Sequence, residues 1–128
     1  IMVQKEVADR MAAQAGTKIY GSLSVFVEFY AKVTRTLMVP PVAFYPQPKI
    51  DSTVIRLDTQ PLPNIDPVHF FSLVHKAFQQ RRKMITSSLL LPKEPLRAAL
   101  QRVGARPDAR PEMLSLEQWI GLYTALSI

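Results

Sequence analysis

The chain has 128 residues, 48 % hydrophobic and 20 % charged, with a net charge of +6 and no cysteine. That length suits one compact domain, or the end of a larger one joined to a small satellite. The composition excludes wholesale disorder, a membrane span of roughly 18–20 apolar residues, a disulfide scaffold and a thiolate zinc site.

Ile1-Met2-Val3 reads as the end of a buried strand, entering a helix from Gln4 through Met11 to about Gly16. A chain seldom starts inside an element, so a longer parent polypeptide is expected. The N-terminus lacks a signal peptide's basic and apolar regions, which points to the cytosol. Ser22 to Tyr30 reads as a helix, because Leu23, Phe26, Val27 and Tyr30 recur at i, i+3, i+4 and i+7. Lys32 to Val39 alternates, is rich in β-branched residues and stops at Pro40-Pro41, as a strand should. Thr53 to Asp58 is a second strand. Between them, Pro40 to Ser52 holds four prolines together with Phe44 and Tyr45. So long and stiff a loop carrying two aromatics is not filler.

Thr59 to Asn64 is a proline-stiffened linker, and everything after it is helical. Asp66 followed by Pro67 is a helix start, a carboxylate N-cap before proline at the first helical position. That helix is expected to bury Phe71, Val74, Phe78, Ile85 and Leu89. A shorter one carries Leu96, Leu100 and Val103 and stops at Gly104. The last begins with a capping box, Ser115 with Gln118, and buries Leu116, Trp119, Ile120 and Tyr123, with Leu114 stapled to Trp119. The fold class is α+β, divided at the linker into residues 1–60 and residues 61–128.

The catalytic inventory is thin. Gly16, Gly21, Gly104 and Gly121 are scattered and build no phosphate cradle, and His69 and His75 have no metal-ligand spacing. No catalytic residue and no metal site is therefore assigned. Positive charge is uneven: residues 1–66 hold seven Lys/Arg against six Asp/Glu, whereas residues 67–128 hold nine against four. Such a surface either faces a polyanion, nucleic acid above all, or is simply solvated. The sharpest basic feature is Arg81-Arg82-Lys83. At about 100° per residue, Lys76 and Lys83 fall in solvent, while Arg82 falls on the apolar side of the predicted helix. A buried unpaired guanidinium is too costly, so Arg82 must snorkel, pair with an acid, or face a phosphate-binding cleft. Arg97 and Arg102 extend the positive surface, and the planar fork of Arg suits phosphate. Phe44, held by Pro46 and Pro48, could be tucked under its own loop or stack on an extruded base.

Four motifs occur in order: Gln-Lys-Glu-Val at 4–7, Tyr-Gly-Ser-Leu-Ser-Val at 20–25, Pro-Pro-Val-Ala-Phe-Tyr-Pro-Gln-Pro-Lys-Ile-Asp-Ser-Thr-Val at 40–54, and Ala-Phe-Gln-Gln-Arg-Arg-Lys at 77–83. With them the chain resembles the C-terminal half of the ribosomal RNA adenine dimethyltransferases, specifically the bacterial KsgA type. The resemblance implies the tail of a Rossmann-like S-adenosylmethionine-dependent domain, its helices plus its last two strands, followed by a small all-α RNA-binding domain. It implies dimethylation of two adjacent adenosines near the 3′ end of small-subunit (16S) rRNA during ribosome assembly. It also implies that Phe44 packs on the target adenine and that Arg81, Arg82 and Lys83 belong to the basic segment of the helical domain. The parent protein is expected to be a monomer. The family's Gly-rich donor loop and Asn-Leu-Pro-Tyr motif are not in this sequence. Thr86-Ser87-Ser88-Leu89 stands where relatives continue Arg-Asn-Ser-Leu, so those finer RNA contacts are not expected. Two other readings stay open: a resistance-type enzyme acting on large-subunit rRNA, and a non-catalytic RNA-binding assembly module.

Overall fold

Two runs of alternating, β-branched residues become the long strands β2 (Ala31–Val39) and β3 (Ser52–Thr59) in the computed structural model, which describes residues 1–126. They pair antiparallel from Ala31 opposite Thr59 to Val39 opposite Ser52, with one irregularity between Arg35 and Leu37. The apolar stub forms a third strand, β1 (Met2–Gln4), antiparallel to β3 with Val3 opposite Thr53. The order is β1-β3-β2, so the strand read at the apolar stub joins the two long ones at the β3 edge. It is not buried there; Met2 is 51 % exposed.

Helix α1 (Lys5–Met11) ends well short of Gly16, although Ala12 to Ala15 are mostly good helix formers. Tertiary bonds win there. The Ser24 hydroxyl donates to the Arg10 carbonyl, and Gly16, at φ +91°, donates its N–H to the Glu112 carbonyl at 2.6 Å. Helix α2 (Ser22–Tyr30) has the predicted bounds but buries Ser24, Val25 and Phe29. Leu23, Phe26 and Tyr30, whose spacing predicts the helix, remain exposed. α2 is apolar on both sides, so its period alone could not choose the buried one.

The second half forms α3 (Pro67–Phe78), α4 (Ile85–Ser88), α5 (Lys93–Arg102) and α6 (Leu116–Leu126). The Asp66 carboxylate accepts the Val68 N–H at 3.0 Å, and Pro67 opens α3, as predicted. Gly104 follows α5 at φ +77°, a conformation that favours glycine. At α6, Gln118 N–H donates to the Ser115 hydroxyl at 3.3 Å while Ser115 N–H donates to Gln118 Oε1 at 3.0 Å. The expected long helix is two pieces: α3 stops at Phe78, and Ile85 and Leu89 are buried from α4 and its C-cap. Phe70, Leu73, Val74 and Ala77 are the buried residues of α3, while Phe71 and Phe78 are half-buried. In α5 Ala99 joins Leu96 and Leu100 in the core and Val103 is half-buried; in α6 Leu122 takes the place expected for Ile120.

One hydrophobic core joins Tyr20, Val25 and Phe29 to Phe70, Val74, Ile85, Leu96, Leu100, Leu114 and Trp119. The Phe29 and Phe70 rings stack at 5.4 Å between centroids across the expected boundary at residue 60. α2 is therefore packed into the helical layer as well as against α1 and β2. No helix of the described residues is long and apolar enough to cross a membrane.

Candidate functional site

The β2–β3 connection is anchored at both ends. Val39 pairs with Ser52, and the Lys5 N–H donates to the Asp51 carbonyl at 3.0 Å. Pro40 and Pro41 have no N–H to continue the ladder, so the strand ends there. A single 3₁₀ turn follows, Pro41–Ala43, with the Ala43 and Phe44 N–H groups each donating at 3.1 Å to the carbonyls of Pro40 and Pro41. Phe44 leaves that turn in an extended conformation, φ −117° and ψ 153°. Its ring is half-buried, between the two sequence readings, whereas Tyr45 is fully exposed at 101 %. Pro46, after a cis peptide bond, is exposed, and Pro48 is half-buried. Local turn bonds and prolines restrain this loop.

The basic run lies elsewhere than its period predicts. Because α3 ends at Phe78, residues 79–83 form a turn and the rotation of about 100° per residue no longer applies. Arg82 is exposed on that turn, so it needs neither a buried partner nor a cleft. Arg81 is the half-buried cation instead. Its Nη2 donates to the carbonyls of Lys18 at 2.9 Å and Tyr20 at 2.6 Å, and lies 3.7 Å from a Glu112 carboxylate oxygen. Its guanidinium also sits 6.0 Å from the centre of the Phe78 ring. These partners tie the turn before α2 to the end of α3, a role no sequence period signals. Lys76, Arg82, Lys83 and Arg102 are exposed and in no ion pair among the described residues, while Arg97 is paired with Glu94 at 3.0 Å. Lys76 and Arg102 stand in the last turns of α3 and α5, where a cation also complements the helix dipole.

A cleft of about 480 Å³ separates Met11 to Ala15 and the start of β2 from the start of α6. Glu28, Lys32 and Glu117 line it, with the Tyr20 phenol in its wall. Burial, and then the Glu117 charge, hold the Glu28 carboxyl above its ordinary range. Burial chiefly, with Glu28 and Glu117, pushes the Tyr20 phenol up. The Trp119 side chain counteracts this, yet among the described residues neither its indole N–H nor the Tyr20 hydroxyl has a partner within hydrogen-bond geometry. Asp9 moves the other way: the Lys5 hydrogen bond holds it below the usual carboxylate range, assisted by the Lys5 and Arg35 charges. His69 and His75 are exposed, and His69 rests 2.9 Å from the Asp66 carboxylate. The described residues bring together no group of three or more His, Asp or Glu able to hold a metal ion.

The chain matches the family described as Ribosomal RNA adenine dimethylase over residues 1–127. It is 45 % identical over 129 residues to Ribosomal RNA small subunit methyltransferase A of Protochlamydia amoebophila (strain UWE25), covering 98 % of this chain and 45 % of that protein. The protein of the same name from Bacillus thuringiensis (strain Al Hakam) is 42 % identical over 136 residues, covering 98 % and 47 %. The chain thus spans less than half the length of these relatives. Among solved structures, a dimethyladenosine transferase from Plasmodium falciparum has the same fold, with a TM-score of 0.83 at 22 % identity over 98 % of this chain and 55 % of that one. The 23S rRNA methyltransferase ErmE gives 0.70 at 25 % identity, over 99 % and 53 %. A family match over nearly every residue, with 45 % identity to a member across the chain, means that the chain belongs to the ribosomal RNA adenine dimethylase family.

Proposed function

We propose that this chain is the RNA-engaging C-terminal part of an S-adenosylmethionine-dependent adenine N6,N6-dimethyltransferase of small-subunit rRNA. The observation that carries the reading is 45 % identity, across nearly the whole chain, to a relative named for small-subunit rRNA methylation. The large-subunit alternative is carried by a 25 % likeness only. On this reading residues 1–60 complete a Rossmann-like domain and residues 61–128 form a helical RNA-binding unit, the two sharing the α2 core. The enzyme acts as a cytoplasmic monomer on two adjacent adenosines near the 3′ end of 16S rRNA.

The methyl donor arrives already activated, so the protein's task is to hold the adenine N6 in line with the donor carbon. S-adenosylmethionine supplies that methyl group when bound, but the residues here do not fit it. Gly16 and Gly104 sit at turns of positive φ, and no described glycine follows a strand into a helix. Their contribution is to the RNA. Phe44 offers the open part of its ring to the face of an extruded adenine, and Pro46 and Pro48 limit the loop's freedom to move away. Lys76, Arg82, Lys83 and Arg102 meet phosphates, which positions the RNA without reading its sequence. Arg97 contributes more weakly, because Glu94 competes for its fork. Arg81 acts through the protein, holding the basic turn in place.

The test is a hybrid in which this chain replaces the matched part of the Protochlamydia amoebophila protein. Methyl transfer from labelled S-adenosylmethionine to undermethylated small subunits is expected from the hybrid and not from the 128-residue chain. A stably folded hybrid that leaves small subunits unlabelled but labels large ones overturns the reading in favour of the large-subunit alternative.

A further inference from the structure

The proline-rich loop carries two rings, and the role of Phe44 accounts for one. Phe44 and Tyr45 are consecutive residues of the bend that follows the 3₁₀ turn. Phe44 is half-buried while Tyr45 is 101 % exposed; the next most exposed Phe, Tyr or Trp in the described residues, Phe26, is 47 % exposed. The protein covers part of the Phe44 ring and leaves the Tyr45 ring uncovered.

The loop is held by its turn bonds and prolines, so placing the Tyr45 ring costs little further conformational entropy on binding. What would cover such a ring is set by its neighbours. Gln47 and Lys49 follow it in the same loop and are exposed, and Lys49 forms no ion pair among the described residues. An uncovered π-face and an unpaired cation on one short loop match a nucleotide, whose base stacks and whose phosphate meets the ammonium. We propose that Tyr45 stacks on an unpaired base flanking the target adenine, so that the loop engages two neighbouring nucleotides. This rests on the RNA-methylating reading above and adds a second nucleotide contact to it.

In the hybrid enzyme, Tyr45→Ala is expected to raise KM for undermethylated small subunits about tenfold, the lower part of the range for one base stacked on an aromatic, with kcat within about twofold. Tyr45→Phe should restore the KM, because stacking needs no hydroxyl, whereas Tyr45→Leu should not. A KM for Tyr45→Ala equal to that of the parent overturns the proposal. A second measurement does not need catalysis. Trp119 is fully buried, so Tyr45→Trp adds a surface indole whose emission should be that of a solvent-exposed ring and be quenched by single-stranded RNA carrying two adjacent adenosines. Buried-type emission in the free hybrid, or no quenching at saturating RNA, also overturns it. If the parent hybrid transfers no methyl while the indole is still quenched, the enzymatic reading fails and the stacking contact stands.

Discussion

Aromatic rings serve the helical layer and the proline-rich loop in opposite ways. Phe29 stacks on Phe70, Trp119 of α6 packs beside Phe78, and Phe29, Phe70 and Trp119 are buried in the one core. Phe44 and Tyr45 are held partly or wholly in the open by prolines and two turn hydrogen bonds. A ring in the core contributes stability through area removed from water, and a ring on the loop keeps that area available for a partner. Losses in the first region should therefore be read by unfolding, and losses in the second by RNA.

The largest expected effect is Trp119→Ala. It deletes a fully buried ring beside Phe78 and should cost about 3–5 kcal/mol, read as a lower denaturant midpoint. A change below 1 kcal/mol would place Trp119 outside the core. Arg81→Ala comes next, at roughly 1–2 kcal/mol, because it removes donors to two backbone carbonyls of a part-buried turn. Lys83→Glu sharpens the contrast, since it should leave unfolding unchanged while weakening RNA binding and flattening its dependence on salt by about one unit of slope or more. The reverse pattern at these two positions would exchange their roles. Asp66→Ala removes the α3 cap and should cost about 1 kcal/mol in thermal unfolding.

The smallest effect concerns pH. The Glu28 carboxyl binds its proton more tightly in the folded chain than in the unfolded one, because of burial and then Glu117. Its charge therefore opposes folding above the folded pKa, and the penalty disappears as pH falls below the unfolded value. Glu28→Gln should stabilise the chain at pH 7, with the gain shrinking on acidification. A gain that grows toward low pH would contradict the assignment.

Much of this was legible from local chemistry. Pro40 and Pro41 mark the end of β2, Asp66-Pro67 the start of α3, Gly104 the end of α5, and Ser115 with Gln118 the start of α6, because each acts on backbone within a few residues. The loop and its two rings were equally visible. The early end of α3 was hidden, because Ile85 and Leu89 continue the apolar spacing of Phe71 and Phe78 across a turn. Arg81 was hidden for a different reason. Its acceptors, Lys18 and Tyr20, lie about sixty residues away and are backbone atoms, which no side-chain pattern announces. The buried face of α2 was settled only by α3 and α6 packing on Val25 and Phe29.

The most direct test of the division between core rings and loop rings is Phe44→Ala in the hybrid enzyme, with methyl transfer and small-subunit binding measured on the same preparation. The account predicts a much larger fall in methylation than in binding, with the unfolding transition unchanged. Equal losses of methylation and binding, or a lowered unfolding midpoint, would contradict it and return Phe44 to the packing of its own loop.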